Sequence, residues 1–374
     1  MKKTALFISF LLYGSHAAAS VTAGDAAEQY AKIVYANYAD AYNDAKKLRE
    51  KISALLARPG DESLAEAKQA WLASRDSYGT TEAFRFYEGP IDKEGGPEAR
   101  LNSWPVNEAY IDYVKGDVNA GIVQRNDVDI TKKILSEKNQ ERDEADVATG
   151  YHAIEFLLWG QDLRLDSAGN RPASDYEDTA QNARRRDYVK IAAELLVDDL
   201  GSLTDAWEPK KGDYAKEFLA QDPKKSLGDM LTGVATLSGF ELASERIATA
   251  LDSGDQEDEH SCFSDNTHND FIANVKGISN VYFGRYKEEK GASLHALLKE
   301  TDEKLATHIE NDLRKAQNLV DTLPHPVDRE ILAAPKESEG RKHAEELVAT
   351  LQRLAEELVG AGKKLGVEVK IASD

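Results

Sequence analysis

Apolar residues recur every three to four positions in segment after segment of this chain, and no stretch shows a convincing period of two. That rhythm commits the chain to helices, because positions three, four and seven apart share a helix face whereas a half-buried strand needs alternation. The spacing predicts a long helix over 25–57, stopped by Pro59-Gly60, and a second over 61–87, broken by Pro90, Gly95-Gly96 and Pro97. Short helices are expected near 106–115 and 130–137, then a strongly apolar one over 144–159. Four more long helices follow. One carries Tyr188, Ile191, Leu195, Leu196, Leu200 and Leu203, and one spans 227–252. The third carries Leu294, Leu298, Leu305, Ile309, Leu313 and Val320, and the fourth Leu347, Leu351, Leu354 and Leu358. All ten prolines fall at or near the ends of these elements, as helix interiors demand. The expected fold class is all-α: two helical-bundle domains side by side, residues 20–165 and 183–374, joined by a polar linker over 166–182. Faint similarity between the halves would fit an internal duplication.

Residues 1–19 read as a secretory signal peptide. Lys2 and Lys3 precede a short apolar run, and Ala17-Ala18-Ala19 stand before a cut near Ser20. The run is too short for a permanent membrane span, and no other segment approaches that length. The mature chain is therefore expected to be exported to the periplasm or cell envelope. The formal charge of the full sequence, −20, disfavours nucleic acid and anionic lipid, and no basic patch opposes the trend. A single cysteine, Cys262, excludes an internal disulfide framework.

Within the apolar helix, Gly150-Tyr151-His152-Ala153-Ile154-Glu155 sets an imidazole and a carboxylate three residues apart, on one face. Burying both among Ile154, Phe156, Leu157 and Leu158 is costly unless each is paired or ligated, so the pair marks a candidate metal or proton site. The spacing alone is weak. A second copy, His343 and Glu346, lies in a charged, solvent-facing segment, and a buried pair that merely ties two helices together has the same spacing. The His-Glu-x-x-His pattern of zinc proteases is absent.

Other polar groups interrupt apolar helices. Trp71, Arg75, Tyr78 and Glu82 share one helix face, with Arg85 just beyond; either a surface ion-pair face or the wall of a polar groove would look this way. Glu241, Glu245 and Arg246 punctuate a later helix. Residues 252–270 hold seven acids and no Lys or Arg, with His260, Cys262 and His268 among them. Carboxylate with imidazole suits iron, manganese or zinc, whereas the EF-hand calcium pattern is missing. An acidic solvent loop remains the plain alternative, and Cys262 fits a buried inert thiol better than a ligand.

Gly150-x-His152-x-x-Glu155 followed by Leu158-Trp159-Gly160 resembles the signature of imelysin-like proteins. Glu82-Ala83-Phe84-Arg85-Phe86, Gly89-Pro90-Ile91-Asp92, Asn102-Ser103-Trp104-Pro105 and the block from Asp258 to His268 are similar to that family too, in the expected order across residues 70–285. The resemblance implies an exported helical protein with an interdomain site around His152 and Glu155, a link to iron acquisition through envelope uptake components, and a peptidase label. Two functions are then open. The first is a binding protein that takes a metal ion, iron before zinc, or an iron-bearing small ligand. Its metal ligands would come from His152, Glu155, Glu82, Asp265 and His268, and Arg85, Trp159, Glu245, Arg246 and His260 would line the site. The second is a metallopeptidase in which His152 and Glu155 hold zinc and a carboxylate such as Glu82 is the base. An envelope interaction protein with a purely structural polar cluster is the third option.

Overall fold

The computed structural model describes residues 20–371; the signal-peptide reading of residues 1–19 lies outside them. The fold is all-α. α1 (Ala23–Ala57) starts at a capping box in which Thr22 and Asp25 exchange hydrogen bonds. α2 (Asp61–Gly79) continues into a 3₁₀ turn, Thr80–Phe84, where an unbroken helix to residue 87 was expected. Four short helices follow: α3 (Glu98–Asn102), α4 (Glu108–Ile111), α5 (Gly121–Gln124) and α6 (Lys132–Lys138). Then come α7 (Gly150–Trp159), α8 (Ala183–Trp207), α9 (Asp213–Ala220) and α10 (Pro223–Thr236), the last with Asp222 as N-cap and Pro223 at its first position. α10 runs on without a break as a π-helix, Leu237–Ala248, and α11 (Thr249–Ser253). α12 (Thr267–Phe283), α13 (Leu294–Thr301), α14 (Glu303–Asp321) and α15 (Glu339–Leu365) complete the order.

Three expectations need correction. α12 is a full helix that the acidic, polar reading of residues 252–270 hid. The single helix expected over 294–320 is two, because the Asp302 side chain caps α14 and stops α13. One strand pair exists among the described residues, β1 (Arg285–Tyr286) against β2 (Glu289–Lys290), too short to leave a period-two signal.

α1 packs along both α2 and α8, and α7 packs on α8, so the polar stretch 166–182 joins two helices in mutual contact. The larger hydrophobic core draws on both ends of the chain, from Ala26 to Ala361. A smaller one gathers Leu242, Ile247, Phe271, Val275, Leu319, Val320, Leu347 and Leu351, where the π-helix, α12, α14 and α15 meet. α12 faces both the π-helix and α2. The polar groups described next lie along that meeting line.

Candidate functional site

His152 owes its position to Gly150. The helix begins at residue 150 and not at 144, because Asn139 Oδ1 accepts the backbone N–H groups of Ala148 and Thr149. Gly150 then adopts φ +83°, and a Cβ there would lie 2.5 Å from the Leu101 carbonyl oxygen. Only glycine permits both that backbone conformation and the close approach of the segment around Leu101. The motif's glycine thus fixes the angle at which α7 enters the core.

The whole of α7 is buried. His152 is 1% exposed and Glu155 0%. His152 Nδ1 lies 2.9 Å from Glu155 Oε2, while Glu155 Oε1 accepts from the Ser264 backbone N–H at 3.0 Å and the Ser264 hydroxyl at 2.6 Å. Burial holds the His152 imidazole well below its usual range, with Arg75 and Arg246 adding to the effect. Burial also lifts Glu155 to about 8, against the pull of the Ser264 hydrogen bonds. At neutral pH the pair is therefore a neutral acid donating to a neutral imidazole, not an ion pair. That leaves His152 Nε2 buried with no hydrogen-bond partner. Next to it stands His260, ring centroids 4.9 Å apart. His260 takes the Arg75 guanidinium 3.1 Å from its ring nitrogens and has Asp270 Oδ2 at 3.4 Å. Its edge faces Trp104, whose indole N–H donates to the Glu259 carbonyl at 2.7 Å.

Arg75 continues the network. Its Nε donates to Asp270 Oδ1 at 3.0 Å and its Nη1 to Asn102, which in turn donates to Glu82 Oε2 at 3.3 Å. Glu82, fully buried, also accepts from Arg246, from Arg85 at 3.2 Å and from Asn274 at 3.4 Å. The desolvation cost is outweighed by these three arginines, Arg246 first, which hold Glu82 at about 2. Glu241 accepts from Arg246 at 2.7 Å and from Arg85 at 3.4 Å, and Glu98 pairs with Arg85 at 3.0 Å. The π-helix makes one of these contacts possible. Its i→i+5 repeat stacks Arg246 on Glu241, which ordinary helical spacing would place about 140° apart. The exposed ion-pair face offered for Arg75, Tyr78 and Glu82 is not found; all three are 0% exposed, and α2, which carries Arg75 and Tyr78, packs against α7.

Glu82, Arg85, Arg246 and His260 are thus joined through one buried polar network, which the His152–Glu155 pair meets at the contact between the His152 and His260 rings. Glu155, expected as a ligand beside His152, is its hydrogen-bond partner. Trp159 lies at the far end of α7, against Trp71 at 5.3 Å and under the Lys68 ammonium at 5.2 Å. Glu245 is on the exposed face of the π-helix. His268 stacks on His325 at 4.2 Å. Cys262 is buried, and burial with Glu155 and Glu257 nearby pushes its thiol far up, which suits an inert side chain.

Asp265 stands with two residues that no local pattern announced. Its carboxylate, with those of Asp162 and Asp328, forms a set whose ligand atoms all lie within 4.8 Å of one another. Burial and mutual repulsion raise Asp162 to about 6 and Asp265 to about 7. Arg75, Asn102, Ser264, Asp270 and Asn274 also went unassigned in the sequence. Arg75 carried a signal, sharing a helix face with Glu82, and Asn102 lay in a quoted block.

The family described as Imelysin matches residues 34–358. Iron-regulated protein A of Synechococcus elongatus is 24% identical over 315 residues, 82% of this chain and 76% of that protein. Among solved structures, a putative iron-regulated protein A precursor from Parabacteroides distasonis superposes with a TM-score of 0.71 at 19% identity, over 93% of this chain and 97% of that one. An imelysin-like protein from Psychrobacter arcticum gives 0.66 at 17% identity, over 95% and 100%. These two likenesses concern the fold.

Proposed function

The chain belongs to the imelysin family, and on that premise we propose that it is an exported binding protein, linked to iron acquisition, that takes a metal ion or an iron-bearing small ligand at His152. The observation that carries this reading is the orphaned Nε2. A buried imidazole nitrogen with no partner costs stability, about 1–3 kcal/mol, and a donor atom waiting for a ligand accounts for it. Iron is the first choice and zinc the second, since two matched proteins bear the name iron-regulated protein A and imidazole suits both ions.

The chain's own groups suit the task. When Glu155 gives up its proton, the one remaining on the pair belongs at Nδ1, donated to the carboxylate, and the Nε2 lone pair is free. This is the carboxylate–histidine arrangement by which proteins orient a metal-binding imidazole. His260 stands ready as a second nitrogen donor once Arg75 moves aside. Since His152 and His260 are each 1% exposed, entry requires the loop 259–266 to lift from α7. Hydrolysis is less well served. Glu82, the one carboxylate nominated as base, is held at about 2 by three arginines, far from the value near the working pH that a general base needs.

The test is metal analysis of protein purified without chelators, then titration with ferrous, ferric and zinc ions, alongside thermal unfolding. His152→Ala is expected to weaken binding at least about tenfold in the folded protein, with a lower melting temperature as well because the buried imidazole and its bond to Glu155 are lost. Unchanged affinity would overturn the site. Zinc-dependent peptide cleavage abolished by Glu82→Gln would overturn the binding-protein reading.

A further inference from the structure

A second group of unsatisfied atoms lies on the other side of the same loop. Asp162 follows the end of α7, Asp265 is held at φ +55° in the 259–266 loop, and Asp328 opens a π-turn, Asp328–Leu332, before α15. Three segments far apart in the chain thus bring one carboxylate oxygen each to within 4.8 Å of the others. Asp328 is only 2% exposed, yet neither of its carboxylate oxygens has a hydrogen-bond partner. Glu259, 3% exposed and close enough to feel the charge of all three aspartates, has an unpartnered Oε1. Among the described residues no Lys, Arg or His side chain forms a salt bridge with any of the four; the Arg164 backbone N–H donates to Asp162 Oδ1 at 3.1 Å, while the Arg164 and Arg329 guanidinium groups act only at a distance. Buried carboxylates are normally paired, hydrogen-bonded or bound to a cation. Asp328 has no ion-pair partner, and only the backbone N–H groups of Asp328 and Arg329 turn toward it, outside hydrogen-bond geometry.

We propose that Asp162, Asp265 and Asp328, with Glu259 beside them, form a site for a hard divalent cation, calcium by preference. The donors are all carboxylate oxygens, which excludes soft ions and favours calcium, magnesium or manganese. Geometry selects among these. Three atoms no more than 4.8 Å apart can all be reached from one point at about 2.8 Å or less, and calcium, with 2.3–2.6 Å bonds, accepts the irregular set that three separate segments offer, whereas magnesium demands near-ideal octahedral ligands at about 2.0–2.1 Å. The open depression lined by Asp162, Ser253, Asp255 and Glu257 supplies an acidic approach. The ion would pin the 259–266 loop, whose Ser264 covers Glu155, to the ends of two other segments. The site stands on its own atoms and does not depend on what binds at His152.

The experiment uses the mature chain, stripped with a chelator and dialysed, then titrated with calcium chloride by calorimetry and followed by thermal unfolding. Calcium is expected to raise the melting temperature of the wild type and of His152→Ala alike. Asp328→Asn and Asp265→Asn are each expected to lower calcium affinity at least about tenfold, while unfolding without calcium no earlier than the wild type, since each removes a repelling carboxylate. The absence of calcium heat in the wild type would overturn the proposal. So would variants that bind calcium as the wild type does, or magnesium binding more tightly than calcium.

Discussion

Replacing Glu155 with glutamine should do what replacing half of a buried ion pair does not: leave the protein as stable as before at neutral pH, or more so. The folded protein keeps a proton on Glu155 up to about pH 8, while the unfolded chain loses it near the ordinary value of 4.5. The folded state therefore binds more protons between those limits, and the wild type's stability falls with rising pH across that window. The slope from this one group is about 1.4 kcal/mol per pH unit, so the whole window spans up to about 5 kcal/mol. A glutamine has no proton to take up. Its amide N–H can donate to His152 Nδ1, and its carbonyl can accept from Ser264, in place of the neutral acid. Urea unfolding of both proteins at pH 5, 6, 7, 8 and 9 cancels the other titrating groups. The expected result is a stability difference that shifts in favour of Glu155→Gln from pH 5 to 8 and then levels off. Glu155→Ala, which strands Nδ1 and both Ser264 donors and opens a cavity, should lie about 3 kcal/mol or more below Glu155→Gln at every pH, the two variants sharing the same pH dependence. A loss of about 3–5 kcal/mol in Glu155→Gln, constant from pH 5 to 8, would mean that the pair is ionised and the reasoning fails.

Glu82→Gln should behave in the opposite way. It leaves Arg246 and Arg85 with only Glu241 and Glu98, and a loss of about 2–3 kcal/mol at pH 7 is expected from urea midpoints at constant slope. Because the wild-type carboxyl is depressed to about 2, its contribution is full above pH 4.5 and lost as pH falls towards 2, so the gap between the proteins should close in acid. Gly150→Ala meets both the positive φ and the Leu101 carbonyl; a loss of about 2–4 kcal/mol is expected in thermal or urea unfolding, and a loss below 1 kcal/mol would show that α7 can start another way.

What the sequence discloses depends on whether the signal is local. His152 and Glu155 share one helical turn, and Glu82 with Arg85 another, so their spacing could be read directly. Glu82 to Arg246 is a contact across 164 residues, and no periodicity announces it. The same holds for Asp162, Asp265 and Asp328, which come from three separate segments of the chain. The burial of Arg75 and Glu82 was hidden because charged residues on a helix read as solvated until their partners are known. α12 is a different kind of miss. Phe271, Val275, Ile278 and Tyr282 follow helical spacing, but the acidic run before them set the expectation of a loop. The π-helix leaves no mark in a hydrophobic pattern, and the Arg246–Glu241 contact depends on it.

The tryptophans give this protein an optical gauge of its own. Trp71, Trp159 and Trp207 are between 0% and 5% exposed, so their emission should stay blue and steady while the fold is intact. Trp104 is half-buried, with its indole N–H on the Glu259 carbonyl and its face edged by His260. Lifting the 259–266 loop breaks that hydrogen bond and hands the ring to water, which shifts its fluorescence to the red. The loop opening proposed for ligand entry, and the effect of an added metal ion on it, can therefore be tested in the unlabelled protein against three internal standards.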